Sequence, residues 1–369
     1  MGAKPGLHLG LMSGTSLDGV DAALVETDGE GVARPGASLT MPYDMGLRTR
    51  LRALLDRAET LAHDDVELAA AERALTDRHA EAVAALLDAG GAAAREVVTI
   101  GFHGQTILHR PERRLTWQIG DASRLARATG IPVVHDFRSA DVAAGGQGAP
   151  FAPLWHAALS GGLERPLAVL NLGGVGNVTW IGADGTVIAC DTGPGNGPLD
   201  DWVAARAGVA YDAGGRIAAA GTVSIAVLAR LMAHPFFAVP PPKSLDRLDF
   251  AAAIARSGLA SLPVADGAAT LVAFTAASVA AVRGHLPEAP RRWLVTGGGR
   301  HNPAIMTALG AALGVTVDPV EAVGWDGDAM EAQAFAYLAA RSLRGLPLSL
   351  PSTTGVPLPM PGGRITRPE

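Results

Sequence analysis

The chain carries the same local pattern twice. An apolar strand, a turn of small residues, a second strand and an Asp-Gly pair follow one another at 7–31 and again at 167–190. The two copies share this pattern more than they share residue identities. Because internal repetition sets the architecture of a chain, we expect two halves built from a duplicated unit. The length of 369 residues also suggests two domains, at roughly one domain per 150 residues.

Predicted strands alternate with predicted helices along the chain. Apolar runs predict strands at 7–12, 20–25, 97–102, 117–119, 131–134 and 293–295. Helical spacings of apolar residues occupy 47–89, 122–128, 154–159, 199–207, 224–232, 268–282 and 328–343. This alternation favours an α/β fold with two sheets. Because the pattern restarts near Arg165, we predict domains at 1–163 and 164–345, with the proline-rich tail 346–369 packed on the first.

Composition excludes several classes of protein. Thirty Lys and Arg residues against 36 Asp and Glu residues give a net charge of −6, so the basic excess typical of nucleic-acid binding is missing. The single Cys190 can form neither an internal disulfide nor a thiolate metal cage. Residues 1–14 lack the features of a signal peptide, and the uncharged stretch 267–282 is too short to span roughly 30 Å of hydrocarbon comfortably. We expect a cytoplasmic protein with no nucleic-acid or membrane partner.

Loops of small residues follow short apolar strands at 13–16, 173–174, 193–196 and 297–299. Such loops let backbone N–H groups approach phosphate oxygens, because no Cβ blocks the approach. In open α/β sheets, ligands lie beyond the carboxyl ends of strands. Any one of these loops could be only a tight turn, but together they indicate a phosphate-bearing ligand.

The lysine content restricts the kind of nucleotide site. Lys4 and Lys243 are the only lysines and neither follows a glycine, so the lysine-based Walker A loop is absent. Residues 191–202 imitate the dinucleotide fingerprint, but Pro198 stands where the third Gly or Ala belongs. The remaining donors and ligands for a nucleotide are backbone amides, Ser and Thr hydroxyls, and aspartates.

Aspartates lie next to two of these loops. Asp18 and Asp21 belong to the first turn, and Asp191 directly follows the apolar run 187–190. A carboxylate at the end of a buried strand beside an anion loop suits a general base or a Mg²⁺ ligand. The alternative for Asp191 is a helix N-cap, because 191–202 also opens a helix.

A set of motifs occurs in a fixed order through nearly the whole chain. They are GLMSGTSLDGVDAAL (10–24), GFHGQTILHRP (101–111), QIGD (118–121), DFRSADVAAGGQGAPFAP (136–153), LNLGGVGNVTWI (170–181), CDTGPGN (190–196), TGGGRHN (296–302) and MEAQAFAYLA (330–339). Together they resemble the anhydro-N-acetylmuramic acid kinase family of bacterial cell-wall recycling. The resemblance implies the actin/hexokinase/Hsp70-like superfamily, with two RNase H-like α/β domains and an interdomain cleft.

The resemblance also implies roles for individual residues. The implied ATP-phosphate loop is Gly14, Thr15, Ser16, Leu17, Asp18, Gly19, Val20 and Asp21, with further nucleotide contacts at Gly173, Gly174, Gly297, Gly298 and Gly299. Asp191 matches the catalytic base, and Glu331 matches a second catalytic position. His103, Gln105, Arg138 and Gln147 match substrate-binding positions, and Asp18 is the candidate Mg²⁺ ligand.

The implied reaction is a ring opening coupled to phosphorylation. Water attacks the anomeric carbon of 1,6-anhydro-N-acetylmuramic acid, and the liberated O6 takes the γ-phosphoryl group of ATP to give N-acetylmuramic acid 6-phosphate. The resemblance further implies a homodimer. Carboxylates beside phosphate loops predict Mg²⁺ as a cofactor. We also expect the two halves to close on the ligands, because both contribute loops and closure would exclude bulk water. The alternatives are a kinase of the same fold with a different sugar or carboxylate acceptor, and a non-catalytic ATP-binding switch.

One segment departs from the family pattern. After PPPKS (240–244) the family usually continues with Thr-Gly-Arg-Glu, whereas this chain has Leu, Asp, Arg and Leu at 245–248. This departure leaves open which contacts the segment makes, including those of Lys243.

Overall fold

The chain divides into two compact α/β units. The computed structural model describes residues 4–14, 16–245 and 249–369. Unit 1 comprises Met1–Gly162 and Asp328–Glu369, and unit 2 comprises Leu163–Gly327. The sequence predicted that the second domain extends to 345. The structure instead places 328–345 in unit 1, because the helix Met330–Leu343 packs on strands of that unit.

Strands and helices alternate in both units, joined by turns and short 3₁₀ segments. The strands of the described residues are β1 (Gly6–Ser13), β2 (Gly19–Thr27), β3 (Ala33–Pro42), β4 (Val97–Arg110), β5 (Leu115–Ile119), β6 (Val133–His135), β7 (Leu167–Leu172), β8 (Val175–Ile181), β9 (Val187–Pro194), β10 (Arg292–Thr296), β11 (Thr316–Pro319) and β12 (Arg364–Thr366). The helices are α1 (Met45–Asp56), α2 (Val66–Gly90), α3 (Ala122–Thr129), α4 (Ser139–Ala143), α5 (Pro153–Leu159), α6 (Gly197–Ala207), α7 (Arg216–Ala219), α8 (Ile225–Met232), α9 (Ala251–Arg256), α10 (Val264–Val282), α11 (Pro303–Leu313), α12 (Met330–Leu343) and α13 (Pro351–Thr354).

The sheet of unit 1 has the strand order β12-β6-β4-β1-β2-β3, with β5 paired to β4. Strand β1 runs antiparallel to β2 and parallel to β4, and β4 runs parallel to β6. The tail strand β12 pairs antiparallel with β6. Strand β3 was not predicted, because Pro35 and Pro42 argue against a strand; its position at the end of this strand order tolerates proline.

The sheet of unit 2 repeats this arrangement in the order β11-β10-β7-β8-β9. Strands β7, β8 and β9 form an antiparallel meander, while β10 runs parallel to both β7 and β11. In both units the first three strands are antiparallel neighbours, and the next long strand lies parallel to the first. The predicted α/β fold with two sheets is therefore confirmed.

Helix α10 is the central helix of unit 2. Extended to His285, it is long and apolar enough to cross a membrane, but 61% of its most apolar window is buried inside the protein. Its Phe274 packs against Phe237 and Phe250. This burial is typical of a core helix and confirms the predicted buried helix at 268–282.

Helix α12 lies directly on the sheet of unit 1. A Cβ at Gly10 of β1 would overlap the carbonyl oxygen of Ala332, and one at Gly101 of β4 would overlap that of Phe335. Only glycine permits so close an approach between a helix and two adjacent strands. The contact fixes the first turn of α12, which carries Glu331, over these strands.

Candidate functional site

The turn after β1 is held by side chains beneath it. Ser13 Oγ donates to Gln105 Oε1 at 2.5 Å and lies 2.6 Å from the Tyr43 hydroxyl. The backbone N–H of Leu17 donates to Gly14 O at 3.1 Å, and Leu17 adopts a positive φ of 58°. A turn fixed in this way presents its backbone in a defined conformation. Thr15, one of the predicted phosphate-binding residues, lies outside the described residues.

The structure divides the predicted phosphate loop at its middle. Gly19 and Val20 begin strand β2 and pair with β3, so the turn itself ends at Asp18. The side chains of Leu17 and Val20 are fully buried in the core, which leaves only their backbone groups for a ligand. Asp21 lies in β2 and accepts a hydrogen bond from Thr40.

His103, which is buried, and Arg138, which is partly buried, form a hydrogen-bonded pair in unit 1. Arg138 Nε and Nη2 lie 3.1 and 3.0 Å from His103 Nε2, and His103 Nδ1 lies 2.8 Å from Gly104 O. Burial and the nearby guanidinium hold the pKa of His103 well below its usual value. The imidazole is therefore neutral, with Nδ1–H donating to Gly104 and Nε2 accepting from Arg138. Because both ring nitrogens are engaged, His103 would act on a ligand through Arg138.

Arg138 is also held by groups other than His103. Its Nη1 donates to Gly148 O at 2.6 Å, and its guanidinium lies 5.4 Å from the centre of the Phe151 ring. Burial lowers the pKa of Arg138 to about 10, with Glu331 and Asp141 opposing the shift. The guanidinium thus stays positively charged near neutral pH in one fixed orientation.

Glu331 lies within the electrostatic reach of Arg138. Glu331 is exposed at the start of α12. Desolvation by the surrounding protein nevertheless raises the pKa of its carboxyl. The charge of Arg138 lowers that pKa, and the charge of Asp21 raises it. Unit 1 therefore brings together His103, Arg138 and Glu331, three of the residues predicted for catalysis or substrate binding.

The other two predicted substrate-binding residues, Gln105 and Gln147, are held by hydrogen bonds within unit 1. Gln105 is fully buried, with Oε1 accepting from Ser13 and Nε2 donating to Thr106 O. These bonds place the Gln105 side chain beneath the β1–β2 turn, and the substrate contact that the resemblance implies for it stays a prediction. Gln147 is held through its backbone, since its N–H donates to Thr354 O and its carbonyl oxygen lies 2.9 Å from His109 Nε2.

Two carboxylates belong to the predicted phosphate loop: Asp18 lies in the turn after β1 and Asp21 in β2. In the described part of the chain, no group of three or more His, Cys, Asp or Glu residues forms a metal cluster. Mg²⁺ at phosphate sites needs only one or two carboxylates together with phosphate oxygens and water. Asp18 is exposed, with its Oδ1 3.3 Å from Arg48 Nη2, and it stays the predicted Mg²⁺ ligand.

The glycine loops of unit 2 meet at one edge of its sheet. The backbone N–H of Asn196 donates to Gly173 O at 2.8 Å, and that of Gly195 donates to Gly174 O at 3.1 Å. A Cβ at Gly195 would overlap Gly173 O, and a Cβ at Gly299 would press on Asn196. The loops at 173–174, 193–196 and 297–299 therefore share one compact surface of backbone groups.

Asp191 lies within strand β9, beside this surface. Its N–H donates to Lys243 O at 2.9 Å, and its Oδ2 accepts from the Leu245 N–H at 2.7 Å. Helix α6 begins after Asn196, so the N-cap interpretation of Asp191 is wrong. The strand position explains why the carboxylate is half-buried.

The surroundings of Asp191 set its charge near neutral pH. Burial raises the pKa of this carboxyl to about 7, while the Leu245 amide and the Lys243 ammonium lower it. The Lys243 amine donates to Phe236 O at 3.0 Å and lies 4.3 Å from the centre of the Phe236 ring. A carboxylate with a pKa near the working pH is suited to general-base chemistry.

The departure at 245–248 does not remove the contact to Asp191. The hydrogen bond comes from the backbone N–H of Leu245, which every residue except proline can supply. Asp246, Arg247 and Leu248 lie outside the described residues.

The two sheets share one arrangement of strands. Each unit has an antiparallel meander of its first three strands, and its next long strand lies parallel to the first, as expected for two α/β domains built from a duplicated unit. Among solved structures, the chain is similar to a ROK family glucokinase from Streptomyces griseus in complex with glucose and AMPPNP. The two are 14% identical, with a TM-score of 0.40, over 90% of this chain and 99% of that one. It is also similar to an activator of 2-hydroxyisocaproyl-CoA dehydratase from Clostridium difficile with bound ADPNP, at 13% identity and a TM-score of 0.46 over 92% of this chain and 97% of that one.

Sequence comparison is more specific. Residues 6–367 match the family model described as anhydro-N-acetylmuramic acid kinase. Proteins of that name from Acidiphilium cryptum and Rhodospirillum rubrum are 64% and 57% identical to this chain, covering 98% and 96% of it and 98% and 92% of their own lengths. The chain belongs to the anhydro-N-acetylmuramic acid kinase family, as its motifs predicted.

Proposed function

We propose that the chain is an ATP-dependent kinase that hydrolytically opens 1,6-anhydro-N-acetylmuramic acid and phosphorylates its O6. Family membership supports this reaction, and the observation that carries its chemistry is the half-buried Asp191 beside the glycine loops of unit 2. This carboxyl, with a pKa of about 7, can accept a proton at neutral pH.

In the proposed reaction, Asp191 takes a proton from water as the water oxygen bonds to the anomeric carbon. The bond from that carbon to O6 breaks, and the electron pair passes to O6. The O6 oxygen then bonds to the γ-phosphorus of ATP, and ADP leaves. The opened bridge supplies the acceptor oxygen itself, so no second base need deprotonate a sugar hydroxyl.

The chain's own groups would position the reactants. Backbone amides at 173–174 and 297–299 and in the turn Gly14–Asp18 are the proposed phosphate donors, since such loops bind anions without a lysine. We assign Arg138 to the sugar as a fixed cation, with Glu331 as its acidic neighbour. Bound Mg²⁺, held by Asp18 with Asp21 nearby, would neutralise phosphate charge.

Location and assembly are part of the same proposal. We expect the protein to act in the cytoplasm, as its sequence features predict, and as a homodimer, as the family resemblance implies. The alternatives are another acceptor on the same fold and a non-catalytic ATP switch, and the acceptor test below distinguishes them.

The reaction predicts a specific acceptor. ADP release should require the 1,6-anhydro sugar, and N-acetylmuramic acid with an already opened ring should not replace it. In water labelled with heavy oxygen, mass spectrometry should find the label at the anomeric hydroxyl of the product. Equal turnover of the opened sugar would contradict the acceptor, and an unlabelled product would contradict hydrolytic opening.

Lys243 provides a pH test of the base. Lys243→Met removes a positive charge that favours ionised Asp191, so the pKa of Asp191 should rise. Because the base must be unprotonated, the acidic limb of the kcat/KM profile should move to higher pH. Lys4→Met, which changes the other lysine at an exposed position of unit 1, is the control and should leave the limb in place. If the acidic limb of Lys243→Met did not move, the ionisation of a group other than Asp191 would determine its position.

A further inference from the structure

Asp141 of helix α4 is a buried carboxylate held by three donors. It is 1% exposed, and its Oδ1 accepts from the Gly148 N–H at 2.7 Å. Its Oδ2 accepts from the hydroxyls of Ser349 and Thr354, at 2.5 and 2.6 Å. The two hydroxyls belong to the C-terminal tail, so one carboxylate joins the loop after α4 to a segment about two hundred residues away.

The same loop holds Arg138. While the Gly148 N–H bonds to Asp141, the Gly148 carbonyl accepts from Arg138 Nη1 at 2.6 Å. The neighbouring Gln147 N–H donates to Thr354 O at 2.6 Å. Gly148 therefore links the tail and Asp141 on one side to the guanidinium on the other.

The loop is shaped to receive this carboxylate. A Cβ at Gly146 would overlap Asp141 Oδ1, and Gly148 has a positive φ of 67°. A buried carboxylate is costly unless its oxygens are hydrogen-bonded, and here neutral hydroxyl and amide donors supply the bonds. Loss of the two hydroxyls would leave Oδ2 without these donors and weaken the connection between the tail and the loop.

We propose that Asp141, Ser349 and Thr354 form a clamp that positions Arg138 for its ligand, so that the tail contributes to substrate binding without touching substrate. The proposal rests on the assignment of Arg138 to the sugar in the proposed function. The three residues are positioning residues: they set the Gly148 carbonyl, and that carbonyl orients the guanidinium.

The test removes the hydroxyls from the tail. In Ser349→Ala/Thr354→Val, the KM for the anhydro sugar should rise about tenfold or more, because small misplacements of a binding group are costly. The KM for ATP should stay near that of the unaltered protein, since the proposed phosphate donors lie elsewhere. Ser349→Thr/Thr354→Ser restores both hydroxyls and should recover the sugar KM. Ser342→Ala is the matched control, because Ser342 Oγ also bonds within this C-terminal part, to Gly362 O, but not to Asp141.

A second readout does not depend on turnover. Nitrogen NMR of histidine-labelled full-length protein reports the His103 Nε2 that accepts from Arg138. This signal should shift in the double variant and return in the variant that restores the hydroxyls. If the double variant fails to fold, Ser349→Ala alone should show the same shift in part.

The outcomes separate the two proposals. An unaltered enzyme that releases no ADP with the anhydro sugar would overturn the proposed function, and the NMR comparison would still decide whether the clamp orients Arg138. An unchanged sugar KM together with an unchanged His103 signal would overturn the clamp. A lower melting temperature with neither change would also overturn it, since the hydroxyls would then serve stability alone.

Discussion

Asp191→Asn should lower kcat by about 10²- to 10⁴-fold, the usual contribution of a general base. Asparagine has nearly the same volume and can still accept the Leu245 N–H, but it cannot take a proton from water. The glycine loops remain intact, so the dissociation constant for ATP should change little. Steady-state ADP release and calorimetric titration with a non-hydrolysable ATP analogue measure the two effects.

The stability of the same variant supplies an independent check. Burial disfavours the ionised form of Asp191, so a neutral amide should fold at least as well above pH 7. We therefore expect the variant to melt at or above the temperature of the unaltered protein. Asp184→Asn, in an exposed turn of the same unit, is the control and should keep full activity. If the Asp191→Asn enzyme were fully active, Asp191 could not be the general base. Its remaining role would be to hold the segment that follows Lys243.

Local sequence patterns predicted most elements but not all of their limits. Strands β1 and β2 and helices α10 and α12 follow strong apolar periodicities, which bury one face or the whole element. The single helical run predicted at 47–89 is two helices, α1 and α2, because Asp65 caps the second one and a 3₁₀ turn intervenes. The spacing of apolar residues alone does not show where one helix ends and the next begins.

Site residues that lie next to a sequence motif could be predicted. Their contacts with residues distant in the chain could not. Asp191 was identified because it follows an apolar run beside a glycine loop, although β9 continues past it to Pro194. The bond from Leu245 and the ammonium of Lys243 could not be found, since they depend on a loop that returns to β9. The clamp on Asp141 depends on hydroxyls of a tail that sequence patterns show only as proline-rich. Long-range hydrogen bonds of this kind leave no periodic signal.

Gly10→Ala should destabilise unit 1 severely, by about 3 kcal/mol or more, at the upper end of the cost of overpacking. The added methyl group would overlap the Ala332 carbonyl and approach the Ala336 backbone nitrogen, so α12 would have to lift off β1. Neither backbone can yield as a flexible side chain could, because strand and helix are both fixed by their own hydrogen bonds. Chemical denaturation in urea, followed by circular dichroism, measures the loss as a lower midpoint.

The matched substitution is Gly31→Ala in the same unit. A Cβ at Gly31 meets no atom within 4 Å, and the φ of Gly31 is not positive. The urea midpoint of Gly31→Ala should therefore equal that of the unaltered protein within error. Gly101→Ala should resemble Gly10→Ala, because its Cβ would overlap the Phe335 carbonyl from the adjacent strand. Since α12 carries Glu331 in its first turn, any folded fraction of either variant should also lose activity. If Gly10→Ala kept both its midpoint and its activity, contact between α12 and β1 could not be what sets the position of Glu331.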